Sequence, residues 1–231
     1  NEGCTEEFTD SSTDNIPSAQ GIYYLKISYD GDNNYEAGDK TVQVTINTAS
    51  LTVTKADYNE TYDGADHSLS QQVTVKGLNG ETLTAGEDYT IAFVKSDSEP
   101  TDWTAAETVG TFKDVADTGI YQYRITAENY GTATGSISVT VSHKNLTVDI
   151  SPVTFQKEYD GYPVVEEEIT ATVSTGIESE SIQVISATGT YEDKNAGDGK
   201  DVTIALTLSG VNGWGNYSYD GTTLDDENLS I

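Results

Sequence analysis

Few groupings in this chain have the residue types and spacing for chemistry. Asp30, Asp32 and Asn34 alternate as oxygen ligands do at the start of a calcium loop. Such a loop requires Gly at its sixth position and Glu at its twelfth. Tyr35 and Thr41 stand there instead, so the run reads as a solvated turn. Asp and Glu number 39 in 231 residues, and two of them facing each other across a cleft could hydrolyse a glycoside. With that many acids some pair always comes close, and small β domains offer little concave volume, so no pair is singled out. Glu166-Glu167-Glu168 reads as a solvated face. His67 and His143 sit far apart in polar contexts without a Gly-x-Ser-x-Gly or similar nucleophile motif, and are expected at the surface. Cys4, the one cysteine, excludes an intrachain disulfide and a thiolate zinc cluster. Trp103 and Trp214 could stack on sugar rings or anchor a protein partner if they share an exposed patch with nearby tyrosines. In a small sandwich a tryptophan is more often core or a loop plug. The residues therefore assign no catalytic, cofactor-binding or metal-binding site, and the chain is expected to be neither an enzyme nor a cofactor carrier.

The elements that would position these residues are strands. Tyr23, Leu25 and Ile27 alternate along one run, and Val42, Val44 and Ile46 along the next. Further strand patterns are Leu51–Thr54, Gln72–Lys76, Tyr89–Val94, Ile120–Thr126 and Ser136–Val141, then Leu146–Ile150, Ile169–Ser174, Ser181–Thr190 and Val202–Ser209. Asp63-Gly64, Asn79-Gly80, Gly86 and the Asn195–Gly199 run punctuate them, and Asn79-Gly80 is a hairpin signal. No stretch sustains a 3.6-residue period, so the expected class is all-β, built of tandem immunoglobulin-like sandwiches. A β-grasp-like variant is the alternative, if residues 97–109 form a short helix over the sheet. Hydrophobic content is 35%, below the usual globular share, yet 15 Tyr and many Thr suit half-buried strands, so the chain is not read as disordered.

The net charge of −28 argues against binding nucleic acid or an anionic membrane surface, both of which depend on cationic side chains. It favours solubility and keeps neighbouring copies apart. No run of 18 apolar residues is present to cross a membrane as a helix. Methionine is absent, and the chain is read as a segment of something longer.

The sequence repeats itself. Leu51-Thr52-Val53-Thr54 leads to Thr61-Tyr62-Asp63-Gly64, and Leu146-Thr147-Val148-Asp149 leads to Glu158-Tyr159-Asp160-Gly161. Tyr-Asp-Gly occurs four times, starting at Tyr29, Tyr62, Tyr159 and Tyr219. Out of phase with this, Gly21–Ser28 matches Gly119–Thr126, and each is followed by Asn-Tyr (Asn34-Tyr35, Asn129-Tyr130) and an alternating strand. The offsets lie between 95 and 98 residues, the size of a small domain. Three segments result: 1–48, the C-terminal part of a truncated repeat; 49–143, a complete repeat; and 144–231, a related third unit. In the first, residues 1–17 read as loop, and the two strands that follow are marginal alone in water. Tyr-Asp-Gly recurring in dissimilar units is read as a turn, with Asp bonding its own backbone, Gly taking positive φ and Tyr packing beneath.

This ordered series resembles the MBG and YDG repeat domains of large bacterial cell-surface proteins, as found in gut Firmicutes. The middle unit carries Glu60–Gly64, Asp102-Trp103-Thr104, Thr111–Val115 and Tyr121–Tyr130 in the MBG-like order. The third is similar to the YDG type through Lys157–Gly161, Ala187–Asn195, Gly199–Val202, Leu206–Gly210 and Asn216-Tyr217. The resemblance implies an extracellular stalk or spacer of an adhesin-like protein at the cell surface or cell wall, with neighbouring repeats as its partners. A glycan-, mucin- or host-protein-binding module using exposed aromatics is the alternative. Some surface adhesins crosslink a strand lysine to a carboxyl, and Lys26 has such a place, but Arg124 occupies the equivalent position and cannot react so. The short junctions Asn47–Ser50 and Ser142–Asn145 are expected to restrict bending.

Overall fold

The computed structural model describes residues 17–231; Cys4 lies outside the described residues, as does most of the expected N-terminal loop. The first two strands, β1 (Gly21–Tyr29) and β2 (Gly38–Ile46), pair antiparallel with Tyr23 opposite Val44 and Leu25 opposite Val42. The alternating pattern thus puts its apolar set on one face of the hairpin. Between them Asp32 Oδ1 accepts the N–H groups of Asn34 and Tyr35, at 2.8 and 2.9 Å, and so fixes the turn.

The next eight strands are β3 (Thr52–Lys55), β4 (Tyr58–Thr61), β5 (His67–Ser68), β6 (Val73–Lys76), β7 (Tyr89–Lys95), β8 (Thr111–Phe112), β9 (Gly119–Ala127) and β10 (Ala133–Ser142). One sheet has the order β4-β10-β9-β7, with β4 parallel to β10, and two further pairs, β3 with β6 and β5 with β8, are antiparallel. Asn79-Gly80 forms its turn, Gly80 at φ +80°, and Lys76 bridges Thr82 across it. Residues 97–109 are turns and bends, not the helix that a β-grasp variant needs over its sheet. Asp97, Pro100 and Asp102 favour turns, and the three-residue Ala105-Ala106-Glu107 is too short to nucleate a helix. Apart from short 3₁₀ turns, the described chain is all-β.

The remaining strands are β11 (Lys144–Asn145), β12 (Thr147–Ser151), β13 (Thr170–Ser174), β14 (Gln183–Tyr191), β15 (Val202–Ser209), β16 (Tyr217–Tyr219), β17 (Thr222–Thr223) and β18 (Asn228–Ser230). They make three small sheets, β12-β13, β14-β15-β18 and β11-β16-β17. Asp220 and Gly221, at φ +46° and +78°, form the two-residue turn of the β16–β17 hairpin, so here Tyr-Asp-Gly is a primed hairpin turn.

The chain resolves into two compact units whose segments interleave. One contains the described residues up to Lys55, Val73–Ala92 and Tyr123–Gly135. Its core is made of Val73, Val75, Tyr89, Ile91, Tyr123 and Ile125, all nearly inaccessible. In it the junction residue Ala49 donates its N–H to Asn129 O and accepts from Gly131 N–H, both at 2.9 Å, so the Asn-Tyr corner holds the start of β3 in place. The other unit contains Ala56–Gln72, Phe93–Gln122 and Ser136–Ile231. Leu69, Phe93, Phe112, Ile137 and Val139 form one part of its core, and Leu146, Ile204, Leu206, Leu208 and Tyr217 another. Tyr58 meets Phe112 edge-on at 4.7 Å, and Gly110, at φ +59°, is so close to Leu69 and Phe93 that a Cβ would lie 2.7 Å from the Leu69 side chain.

Candidate functional site: a carboxylate clasped by two tyrosines

A dense polar cluster lies in the second unit and is built from four loops. β4 runs into Tyr62-Asp63-Gly64, where Asp63 Oδ1 accepts the Ala65 N–H and Gly64 takes φ +77°. That glycine is needed twice, because a Cβ there would also lie 3.2 Å from Glu180 Oε1 and Ile177 Cγ2. β13 ends at Ser174. Buried Thr175 then accepts the Ile177 N–H at 3.0 Å, and Glu180 N–H closes on Ile177 O, which presents the Glu180 side chain. Asp117 Oδ2 accepts the N–H groups of Lys113 and Asp114 at 2.8 and 2.9 Å, fixing the third loop. Gly213, at φ +79°, opens the 3₁₀ turn Trp214–Asn216 that leads into β16.

Glu180 accepts hydrogen bonds on both oxygens: from Tyr62 Oη on Oε1 at 2.8 Å, and from Tyr217 Oη on Oε2. Tyr62 is 3% exposed and Tyr217 fully buried, their rings edge-on at 5.6 Å. Burial, reinforced by the bond to Glu180, pushes the Tyr62 hydroxyl up to about 12 and carries Tyr217 higher still. Beside this, buried Asn216 accepts the Val115 N–H on Oδ1 and donates from Nδ2 to Asp114 Oδ1, both at 2.8 Å. A cleft lined by Tyr62, Asp114, Glu180 and Gly210–Gly213 opens over the cluster. Two carboxylates therefore line one cleft, as glycoside hydrolysis would require. Glu180 accepts from both phenols and Asp114 from Asn216, so both carboxylates also tie loops together.

The residues singled out by sequence fall elsewhere. Asp32 uses its carboxylate on its own turn, and its hydrogen bond with Tyr29 holds it below the usual carboxylate range. No group of three or more His, Cys, Asp or Glu placed to hold a metal occurs among the described residues. Glu166, Glu167 and Glu168 are exposed, and Glu167 accepts the Gln156 N–H. Trp103 and Trp214 are half-buried, Trp214 lying edge-on to Tyr217 at 6.5 Å. Lys26 pairs with Asp39 at 3.4 Å. The expected surface position of His67 is corrected. Its ring stacks on Phe112, and its Nε2 lies 3.2 Å from Tyr58 Oη and 3.1 Å from Asp63 Oδ1. Burial works against the Asp63 charge, but the Ala65 N–H and His67 outweigh it and keep the carboxyl below its ordinary range. His143 is half-buried, 3.2 Å from Thr223 Oγ1.

All four Tyr-Asp-Gly glycines take positive φ, between 77° and 88°, as a turn motif requires. The expectation that each tyrosine packs beneath its turn holds for Tyr62 alone. Tyr29 and Tyr159 are 47% and 67% exposed and Tyr219 is half-buried. The buried copy is the one with Glu180 and Tyr217 against it.

Comparison with protein families finds a match over the C-terminal part. Residues 142–226 match the YDG domain. The match begins at the end of β10 and covers Glu180, Asn216 and Tyr217, so the clasp joins this domain to Tyr62 and Asp114 on the segment before it. No curated protein matches the chain.

Proposed function

We propose that this chain is a non-catalytic spacer segment of an extracellular, bacterial cell-surface adhesin-like protein, with a YDG domain following an MBG-like repeat in series. The observation that carries this reading is the junction into the YDG domain. Only His143 separates β10 from β11, and β11 pairs parallel with Tyr217 and Ser218. Leu146, immediately beyond, is buried and donates its N–H to Ser218 O at 2.8 Å. Three side-chain hydrogen bonds cross the same joint, Tyr62 to Glu180 and Asn216 with Val115 and Asp114, while Tyr217 holds Glu180 from within the domain. A linker this short, pinned on two sides, resists bending, and resistance to bending is what a spacer contributes. The acidic surface supports the role by repelling an anionic envelope.

The second reading is a glycan- or mucin-binding module. Its support is Tyr159 and Tyr162, 67% and 69% exposed on either side of a Tyr-Asp-Gly turn. The test is a panel of mucins and glycans offered to the purified chain with calcium and with chelator. The spacer role predicts no saturable binding in either condition. Saturable binding abolished by Tyr159→Ala or Tyr162→Ala replaces it with the adhesive role.

A further inference from the structure

The β1–β2 hairpin repeats the β9–β10 hairpin in sequence, and the two differ in what covers them. Tyr23, Leu25 and Ile27 correspond to Tyr121, Tyr123 and Ile125; Val42, Val44 and Ile46 correspond to Ile137, Val139 and Val141. In β9–β10 all six are at most 7% exposed. In β1–β2, Leu25, Ile27, Val42 and Val44 range from 40% to 57%. The pattern and the hairpin are the same, so the difference lies in the chain that packs on them. β9 has β7 along its outer edge and β10 has β4, whereas β1 and β2 form a two-stranded sheet by themselves among the described residues. The Asn-Tyr corners differ likewise. Tyr130 bridges Ala49, from the start of its own repeat, while Tyr35 is 70% exposed.

We propose that the β1–β2 hairpin is an acceptor surface for the front of another repeat of this kind, a polypeptide carrying counterparts of β3–β8 and reaching the hairpin from its N-terminal side. The complete repeat defines the occupant. There the front, residues 51–118, precedes the hairpin in chain order and supplies the edge strands. A counterpart of β4 adds parallel to β2, a counterpart of β7 lines β1, and the remaining strands cover the face formed by Leu25, Ile27, Val42 and Val44. Main-chain hydrogen bonds along the two edges that no described strand occupies supply attachment, and the alternating apolar side chains fix the register. An uncovered edge of this kind is otherwise a template for unwanted pairing. The proposal rests on the repeat and not on the spacer role, which the mucin and glycan panel tests separately.

The test titrates an unlabelled polypeptide of residues 49–118 into the full, isotope-labelled chain and follows amide hydrogen exchange. The expected result is a saturable slowing, by about tenfold or more, of exchange in β1 and β2 with β9 and β10 unchanged. Leu25→Asp or Val44→Asp abolishes it, and Thr45→Asp, on the opposite face, does not. Three results overturn the proposal: no slowing in excess polypeptide, slowing that survives Leu25→Asp, or protection that the chain shows alone. Protection that grows with the chain's own concentration identifies a second copy as the cover instead.

Discussion

Replacing Glu180 by alanine removes the carboxylate and leaves two phenols facing the gap. A hydrogen bond to a charged group contributes about 1.5–3 kcal/mol, and a buried donor left unmatched costs about 1–3 kcal/mol. Tyr62 and Tyr217 are both buried, but Glu180 is half-buried beside an open cleft, so water can reach one hydroxyl. The expected loss is therefore about 2–4 kcal/mol rather than the full sum. At about 4 °C per kcal/mol for a unit of this size, Tm falls by about 8–16 °C. Scanning calorimetry of the wild-type chain, Glu180→Ala, Glu180→Gln and Tyr62→Phe measures it. Glu180→Gln keeps the shape with one acceptor oxygen and should fall between. A double-mutant cycle of Glu180→Ala with Tyr62→Phe should return a coupling of about 0.5–3 kcal/mol. A drop below about 2 °C for Glu180→Ala, the level of an ordinary surface change, would refute the reasoning.

Further outcomes follow from the same geometry. Gly64→Ala and Gly161→Ala both place a side chain at positive φ, costing about 1 kcal/mol; Gly64→Ala costs more, because its Cβ also meets Glu180 and Ile177 while that at Gly161 meets nothing within 4 Å. Denaturant midpoints of the two variants test the order. Asn216→Ala leaves the Val115 N–H and Asp114 without their partner and should cost about 1–3 kcal/mol, read from urea unfolding. Because the Tyr62 hydroxyl is raised to about 12, its contribution to stability is fully present below the ordinary tyrosine value near 10 and is lost as pH rises through 12. Phenolate absorbance and unfolding followed together should show that alkaline loss, and Tyr62→Phe should reduce it.

The strands with clean alternation were legible in sequence. Tyr89–Val94 and Ile120–Thr126 form within a residue of their expected limits, and Val202–Ser209 matches its own. β4, β5, β8 and β16–β18 were not, because two to four residues such as His67-Ser68 or Thr222-Thr223 carry no period, and tertiary pairing alone makes them strands. The clasp was half visible. Tyr62 stands in a motif whose recurrence marked it as structural, and Tyr217 in the Asn216-Tyr217 pair quoted for the YDG resemblance. Glu180 lies in Glu178-Ser179-Glu180, one acid among 39, and nothing local distinguishes it. Its role comes from a contact 118 residues away in the chain. His67 was misplaced for the same reason, since the polar neighbours that suggest exposure, Asp66 and Ser68, say nothing of Phe112 stacking on its ring.

The central claim is that the joint into the YDG domain is stiff and that the clasp makes it so. Its most direct test is the distribution of distances between spin labels at exposed Ser98 and Asn195, one on each side of the joint, with Cys4 replaced by serine. The account predicts one narrow distribution in the wild-type background and a broad one in the Glu180→Ala, Asn216→Ala double variant. A broad distribution in the wild-type background, unchanged by those substitutions, would contradict it.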